Sequence, residues 1–395
     1  MTICIAGKND IAIEIAEHIR KNFSQHTIIG LTNRSDNGVN GYFRSYKWYL
    51  NFKKIPECQL SDVYDIEDLI FLSLEYDRII KPELFVSQKL FNIHFSLLPA
   101  YKGMFTSAWP ILNCEKFSGV TLHVIDQGID TGEIIDQVKF RLLSTETVKS
   151  LYKKYMEHGI ALMKKNLTAL LDGTYRKHVQ SHKGSTYYSK NSINYKNLQI
   201  DIKNTAERLD AQIRAFAYRE YQIPTILGHK VHKSKITNVR STFAPGTIIK
   251  EDEFELTIST IDYNVTLYKD RFDDFISACE KNDLKTVKKL IRHIDIEERT
   301  REGWTPLIVA CYNNSVETAV YLIQKGANVN AVNYKGTSVV MYAKDAALNY
   351  GSTKILDTVL QQKPNVKHRD FFHKNIFDYL QDQSPDMIDY IKYRV

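Results

Sequence analysis

The sequence predicts three consecutive regions: an α/β domain with a mostly parallel sheet, a small β-rich domain, and an all-α array of repeated helix pairs. Apolar strands that alternate with amphipathic helices in the first part of the chain predict the α/β domain. Short β-prone runs between glycine and charged turns predict the second domain. A helical pattern that restarts after 33 residues, from Gly303 to Gly336 (336 − 303), predicts the array. The expected boundaries are residues 1–183, 184–270 and 271–395.

The α/β region begins with a buried-strand pattern at residues 2–6, which a turn containing Gly7 joins to an amphipathic helix at residues 11–22. Strand, glycine turn and helix form a common opening of an α/β unit. One glycine does not make the Gly-x-Gly-x-x-Gly fingerprint, so a dinucleotide site is not indicated. The remaining elements are predicted as strands at residues 27–31, 68–72, 90–94 and 119–125, and as helices at residues 79–85, 106–112 and 144–171.

Three polar side chains stand out where these strands end. Asn92 and His94 occupy alternate positions of an apolar, β-prone run, so both side chains point to the same face of the strand. A glycine-punctuated loop at residues 126–132 carries Asp130. Ligands of parallel sheets bind at the carboxyl ends of the strands. An amide, an imidazole and a carboxylate suit acyl transfer, so we expect the reaction at this edge of the sheet.

The composition of the 395 residues, 43% hydrophobic and 25% charged, is that of an ordinary globular protein. The formal net charge of +7 comes from dispersed lysines and arginines, which argues against a nucleic-acid partner. The five cysteines form no Cys-x-x-Cys pair, and no other cluster has the spacing of metal ligands, so no metal is expected. No apolar run approaches the roughly 20 residues of a spanning helix, and the N-terminus lacks the features of a signal peptide. We expect a reduced, cytoplasmic setting without a membrane partner.

The motifs around Asn92 and Asp130 resemble those of one enzyme family. The segment Asn-Ile-His-Phe-Ser-Leu-Leu-Pro at residues 92–99 and the segment Asp-Gln-Gly-Ile-Asp-Thr-Gly at residues 126–132 are similar to motifs of formyltransferases that use N10-formyltetrahydrofolate. The spacing of 36 residues between His94 and Asp130 (130 − 94) is also typical. This resemblance covers roughly residues 1 to 180 and implies a Rossmann-like domain. It further implies that Asn92, His94 and Asp130 are catalytic and that N10-formyltetrahydrofolate is the co-substrate.

Other segments resemble the sugar-nucleotide members of that family. They are residues 5–9, 33–40, 73–82 and 213–216, together with Pro224. The resemblance implies a dTDP-linked 3-amino-3,6-dideoxyhexose as substrate, with the glucose configuration as the first expectation, for surface polysaccharide (O-antigen, lipopolysaccharide) biosynthesis. It also implies a homodimer, because the second domain of the family commonly supports one.

Three other functions stay open. The first is formylation of a dTDP-4-amino-4,6-dideoxysugar. The second is formylation of methionyl-tRNA. The dispersed charge argues against it, because tRNA binding would require a strongly basic C-terminal domain. The third is a non-enzymatic scaffold, formed by the repeated helix pairs, that carries an inactive transferase domain.

The resemblance implies a role for each polar group. Asn92 is expected to stabilise the oxyanion of the tetrahedral intermediate, and His94 to accept the amine proton. Asp130 either orients His94 or relays the proton through water. The residues expected to contact the folate are Ser73, Leu74, Glu75, Tyr76, Ile125 and Asp126, and those expected to contact the nucleotide sugar are Lys8, Asn9, Lys102, Thr106, Tyr218 and Tyr221.

The last region resembles ankyrin repeats. Gly-Trp-Thr-Pro-Leu at residues 303–307 precedes a helix pair, and Gly-Ala-Asn-Val-Asn follows at residues 326–330, although Ile308 stands where the repeat usually has histidine. The default role of such an array is protein binding. Three of its aromatic residues, Trp304, Tyr312 and Tyr334, are candidates for holding a base. Protein contact (including contact with a partner subunit), a second nucleotide-sugar site and a structural appendage therefore all stay open.

Overall fold

The computed structural model describes residues 1–395 apart from the side chain of residue 382. The chain forms two compact units. Unit 1 contains residues 1–39 and 43–269, and unit 2 contains residues 40–42 and 270–395. The predicted α/β and β-rich regions both lie in unit 1, so the boundary expected at residue 183 stays a prediction.

One mixed sheet organises the first part of unit 1. The strands of this part are, in chain order, β1 (Thr2–Gly7), β2 (Thr27–Thr32), β3 (Leu69–Leu74), β4 (Leu90–His94), β5 (Lys102–Gly103), β6 (Phe117–Val124), β7 (Ile134–Arg141) and β8 (Tyr187–Tyr188). The sheet has the order β2–β1–β3–β4–β6–β7, and β5 pairs separately with β8. Strands β2, β1, β3 and β4 run parallel, whereas β6 is antiparallel to both β4 and β7. The predicted α/β class with a mostly parallel sheet is therefore confirmed.

Helices cover this sheet. Those of unit 1 are α1 (Asn9–Asn22), α2 (Tyr46–Lys53), α3 (Trp109–Leu112), α4 (Val148–Asp172) and α5 (Ala206–Phe216). Helix α1 buries Ile11, Ile15 and Ile19, whose helical spacing the sequence shows. Helix α4 approaches it closely at Gly159, where a Cβ would lie 3.1 Å from Ile11 and 3.2 Å from Phe95. The absence of a side chain at Gly159 thus allows α4 to pack tightly on α1 and on the segment after β4.

Three predicted helices differ from the structure. The helix expected at residues 106–112 forms only at Trp109–Leu112. The helix expected at residues 79–85, with an interruption near Pro82, is wrong, because only a 3₁₀ turn forms there, at Pro82–Leu84. Pro82 has no backbone N–H and disfavours a helical conformation at the preceding residue. The long helix begins at Val148 rather than at residue 144, because the Thr147 side chain accepts a hydrogen bond from the backbone N–H of Ser150 and caps it.

The rest of unit 1 is a second, antiparallel sheet with one helix on it. Its strands are β9 (Thr225–Ile226), β10 (His229–Arg240), β11 (Ile248–Glu251), β12 (Glu255–Ile258) and β13 (Tyr263–Lys269), in the order β11–β12–β13–β10–β9. Leu209 and Ile213 of α5 pack on Val231, Leu256 and Leu267 of the sheet in one buried cluster. The β-rich character predicted for this region is confirmed.

Unit 2 contains consecutive helix pairs. They are α6 (Phe272–Glu280) with α7 (Leu284–Leu290), α8 (Pro306–Tyr312) with α9 (Val316–Gln324), α10 (Val339–Tyr350) with α11 (Lys354–Leu360), and α12 (Ile376–Gln383) with α13 (Pro385–Lys392). Thr305 caps α8 by accepting from the N–H of Ile308, and Pro306 occupies its first turn. The motif that predicted an ankyrin array therefore forms the start of a helix. Among the described residues, no helix has both the length and the apolar composition needed to span a membrane.

Candidate active site

The three predicted catalytic residues meet at one edge of the main sheet. Asn92 and His94 lie in the last half of β4, and Asp130 lies in the loop that joins β6 to β7. One oxygen of Asp130, Oδ2, is 3.4 Å from Nδ1 of His94, and the other, Oδ1, is 3.4 Å from Nδ2 of Asn92. The carboxylate thus lies between the amide and the imidazole, as their alternation on one strand and the position of the loop had indicated.

Backbone groups hold the His94 ring and the Asp130 carboxylate. Nε2 of His94 lies 2.8 Å from the carbonyl oxygen of Tyr101, and the N–H of Gly103 donates to Oδ2 of Asp130 at 2.8 Å. A carbonyl oxygen only accepts, so the proton of that contact is on Nε2. Nδ1 therefore faces the carboxylate. The ring and carboxylate can share a proton on that side.

The charge of Asp130 is stabilised by its neighbours. Burial alone would raise the pKa of this carboxyl group. The adjacent rings of His94 and His123 and the N–H of Gly103 outweigh that effect and hold the pKa well below its ordinary value. Asp130 is therefore ionised at neutral pH.

The loop that carries Asp130 is braced from a distant part of the chain. Asp130 has a left-handed backbone conformation with φ of 55°, which is uncommon for a residue other than glycine. The side-chain N–H groups of Gln180 donate to the carbonyl oxygens of Asp130 at 2.9 Å and of Gly132 at 2.7 Å. His178 pairs with Ile134 at the start of β7, and this pairing brings Gln180 to the loop. Gln180 thus helps hold Asp130 in the conformation that faces Asn92 and His94.

A second polar cluster lies where β1 and β3 end. Glu75 accepts a hydrogen bond from the Tyr152 hydroxyl at 2.5 Å, and its carboxylate is 4.0 Å from Nζ of Lys8 and 3.5 Å from the amide nitrogen of Asn9. Burial raises the pKa of Glu75, and the contacts with Lys8, Tyr152 and Asn9 oppose that shift without cancelling it. Asn9 and Glu75 both have positive φ, at 59° and 61°. These predicted substrate and folate residues therefore form one partly buried group, with two left-handed backbone positions.

Other residues that were predicted to contact the folate are buried or pack in the hydrophobic core. Leu74 is fully buried and its carbonyl accepts from the N–H of Lys8, while Ser73 is 7% exposed. Tyr76 and Ile125 pack against the same hydrophobic cluster under the sheet. Tyr76 also lines a cavity of about 160 Å³ near the ends of β2 and β3.

Asp126 stabilises the catalytic loop itself. Its side chain accepts from the N–H of Gly128 at 3.1 Å and from the hydroxyl of Thr131 at 2.7 Å. A contact between the Asp126 side chain and folate would compete with these two hydrogen bonds.

The predicted sugar-nucleotide residues fall into separate groups. Lys8 and Asn9 belong to the Glu75 cluster, and Tyr221 is near enough to Tyr152 to raise the pKa of that hydroxyl. The ring of Tyr221, which is 57% exposed, contacts that of buried Tyr218 at 4.8 Å. Lys102 lies in the short strand β5, and the Thr106 carbonyl accepts from Tyr155. Lys102 and Thr106 thus lie on the segment that follows His94.

Two of the three aromatic residues predicted for the ankyrin array lie together. In unit 2 the ring of Trp304 lies 5.0 Å from that of Tyr312 and 4.9 Å from that of Tyr342. Tyr334 instead packs edge-on against Tyr42 of the same unit at 5.6 Å. Tyr342 is the member of the aromatic cluster that was not predicted.

Sequence reasoning missed three residues of the main site. His123 lies 3.0 Å from Asn92, Gln180 braces the loop, and the carbonyl of Tyr101 binds His94. His123 could have been found, because it is an isolated polar residue on the strand that leads into the catalytic loop. Gln180 and Tyr101 carry no such signal. Gln180 binds a residue 50 positions away in the sequence, and Tyr101 contributes its backbone carbonyl and not its side chain.

Comparisons with known proteins identify relatives of both regions of the chain. Residues 62–167 match the family described as formyl transferase, and residues 275–370 match ankyrin repeats. A crystal structure of an N-formyltransferase from Helicobacter canadensis, in complex with folinic acid and dTDP-3-aminofucose, is 42% identical to this chain, with a TM-score of 0.63. The match covers 68% of this chain and 99% of that one. WlaRD, a sugar 3N-formyltransferase crystallised with dTDP and 5-N-formyl-THF, is 41% identical, with coverages of 68% and 97% and a TM-score of 0.63.

Curated relatives point to the same chemistry. Methionyl-tRNA formyltransferase of Clostridium tetani is 30% identical over 204 residues, and that of Clostridioides difficile is 31% identical over 209 residues. These matches cover about half of this chain and just under two thirds of the relatives, 64% and 65%. The chain belongs to the formyltransferase family.

Proposed function

We propose that this protein transfers the formyl group of N10-formyltetrahydrofolate to the amino group of a dTDP-linked 3-amino-3,6-dideoxyhexose. The observation that carries the proposal is the convergence of Asn92, His94 and Asp130, with Asp130 within 3.4 Å of both partners, at the edge of the α/β sheet. The 42% identity to a protein crystallised with folinic acid and dTDP-3-aminofucose supports the two substrate classes. The 30% identity to the methionyl-tRNA formyltransferases supports the reaction alone, because that match leaves about a third of those proteins uncovered.

The site suits the chemistry of formyl transfer. The amine nitrogen attacks the formyl carbon, the C–N10 bond breaks, the amine loses a proton and N10 gains one. An N–H of Asn92 can stabilise the oxyanion that forms on the formyl oxygen, an interaction that is strongest in the transition state. Since Nε2 of His94 is engaged by the Tyr101 carbonyl, the side open to proton transfer is Nδ1, which faces Asp130. We assign uptake of the amine proton to the His94–Asp130 pair as a unit.

The two substrates would contact different residues around this centre. Tyr76 and Ile125 lie on the β3 and β6 side, which suits the apolar ring system of a folate. Lys8 and Asn9 lie at the end of β1, where a lysine can pair with a diphosphate. Tyr221 adds an exposed aromatic ring on which thymine could stack.

Several wider properties belong to the same proposal. They are action in the cytoplasm, a homodimeric assembly, and supply of a formamido sugar to surface polysaccharide such as O-antigen. The glucose-configured sugar was the first prediction. Its galactose-configured epimer is tested beside it, because the comparison structure holds dTDP-3-aminofucose.

The aromatic cluster of unit 2 supports a binding role for the ankyrin array. Trp304, Tyr312 and Tyr342 meet within 5.8 Å of one another, and Tyr312 is 42% exposed. A nucleotide base and an aromatic side chain of a protein partner are both suitable ligands. The intact wild type and the Trp304→Phe variant are titrated with dTDP while Trp fluorescence is recorded. A fluorescence change that the variant lacks indicates a nucleotide ligand, and equal responses of the two proteins favour a protein partner.

A substrate panel tests the function. Purified protein is incubated with N10-formyltetrahydrofolate and, in turn, dTDP-3-amino-3,6-dideoxyglucose, its galactose-configured epimer, the matching 4-amino sugars and methionyl-tRNA. Tetrahydrofolate release and the formylated product are measured, with Asn92→Ala as the inactive control. Turnover of a 3-amino sugar at least tenfold faster than of every other acceptor is expected. Preference for a 4-amino sugar or for tRNA would overturn the assignment.

A further inference from the structure

His123 is a buried histidine next to the catalytic amide. The antiparallel pairing of β4 with β6 sets Asn92 directly opposite His123. Directly paired residues point to the same face of a sheet, so the two side chains meet. Nε2 of His123 lies 3.0 Å from Nδ2 of Asn92, and His123 is only 2% exposed.

Hydrogen bonds define the form of the ring. Nδ1 of His123 lies 2.8 Å from the carbonyl oxygen of Val124, which can only accept, so Nδ1 carries a proton. In a neutral ring Nε2 is then an acceptor and takes one N–H of Asn92. The amide of Asn92 is thereby assigned with its nitrogen toward His123.

The second N–H of Asn92 is engaged only weakly. It faces Oδ1 of Asp130 at 3.4 Å, longer than the 2.7 to 3.2 Å typical of an N–H···O bond. Among the described residues, the amide oxygen of Asn92 has no hydrogen-bond partner, so apart from the long contact with Asp130 the rotation of this amide is held by His123. His123 is therefore the group that determines where the second N–H points.

We propose that His123 is a positioning residue for formyl transfer: by accepting one N–H of Asn92, it directs the other N–H at the formyl oxygen. This inference rests on the proposed function for its reaction, and it adds a residue that the catalytic motif does not contain. Oxyanion stabilisation requires a donor that is already oriented, because reorientation during the reaction would cost part of the gain.

Kinetics of variants test the proposal. His123→Leu should lower kcat by about tenfold or more, up to the roughly 10²- to 10³-fold loss caused by removing an oxyanion donor, with KM changed little. His123→Gln, whose side-chain oxygen can accept the same N–H, should recover most of kcat. In the Asn92→Ala background, His123→Leu should have almost no further effect, because it acts through Asn92. His158→Leu is the matched control, since His158 stacks on Phe140 away from the site.

A second measurement needs no turnover. In ¹⁵N-histidine-labelled protein, His123, assigned by comparison with His123→Gln, should show a protonated Nδ1 and an unprotonated Nε2. The Nε2 resonance should move in Asn92→Ala.

The possible results separate the two proposals. Wild type that is inactive on every acceptor refutes the proposed function, and the NMR spectrum still decides the role of His123. Active wild type with an additive double variant, or an Nε2 resonance that ignores Asn92→Ala, overturns this inference.

Discussion

The carbonyl oxygen of Tyr101 lies 2.8 Å from Nε2 of His94, so a backbone group outside the catalytic motif determines which ring nitrogen faces Asp130. Tyr101 has φ of 60°, and its own N–H donates to the hydroxyl of Thr186 at 2.7 Å. The orientation of His94 therefore depends on Thr186, which holds Tyr101, as well as on strand β4. Nδ1 of His94 is thereby left facing the Asp130 carboxylate.

Substitution of the His94–Asp130 pair should abolish most turnover. His94→Asn and Asp130→Ala should each lower kcat by about 10² or more, because each removes one member of the pair to which uptake of the amine proton is assigned. Circular dichroism and the melting temperature report whether each variant remains folded. Full activity in either folded variant would refute the role of the pair.

The buried carboxyl group of Glu75 makes unit 1 less stable as pH rises. Its folded pKa lies above the ordinary value of 4.5, so its protonated form is favoured on folding and its ionised form is not. The stability it contributes is present below about pH 4.5 and is lost as pH rises through the raised folded value. Glu75→Gln should therefore gain melting temperature relative to wild type as pH increases from about 4 to 7. Exposed Glu83→Gln is the control, and a constant difference between variant and wild type would contradict the prediction.

Removal of the loop brace should cost both stability and turnover. Gln180→Leu leaves the carbonyl oxygens of Asp130 and Gly132 without their donors, at a cost of about 1 to 3 kcal/mol. Because Asp130 then loses its alignment, kcat should fall while the KM values change less. Urea unfolding and steady-state kinetics measure the two effects. Gln199→Leu, on the exposed surface of the same unit, should change neither; equal effects of the two substitutions would disprove the brace.

A glycine pair tests the packing of the ankyrin array. Gly303 has φ of 83°, and a Cβ there would overlap the ring of Tyr334. Gly303→Ala should thus destabilise unit 2 by about 2 kcal/mol or more, through backbone strain and overpacking. Gly326 has φ of 92° with open space around it, so Gly326→Ala should cost only about 1 to 2 kcal/mol. Differential scanning calorimetry compares them; equal losses would show that the Tyr334 ring moves aside freely.

The sequence was informative where chemistry and local pattern coincide. Asn92 and His94 alternate on a strand and Asp130 lies in a glycine-rich loop, so their meeting in space could be predicted from strand geometry and topology. The ankyrin motif predicted the start of α8 because Thr305 is a cap residue whose role is local.

What could not be predicted depends on contacts between distant segments. Strand β7 was missed, although its pairing with β6 completes the sheet. Helix α2 was missed as well, because its cap, Ser45, also bonds Asp36 across a loop. His123 was also missed: its place as a polar residue on an apolar strand was a usable signal, but its pairing with Asn92 follows only from the register of β4 with β6.

The bond from Gln180 to Asp130 sets a limit on how this catalytic region can be transplanted. The formyltransferase family match ends at residue 167, so a chimaera cut there would contain the three predicted catalytic side chains and lack Gln180, the donor that holds the Asp130 backbone. The smallest segment that carries its own geometry extends past residue 180, and past residue 186 if the Tyr101 contact is kept. A transplanted segment must therefore be chosen to include the hydrogen bond from Gln180 to Asp130, which lies beyond the end of the family match.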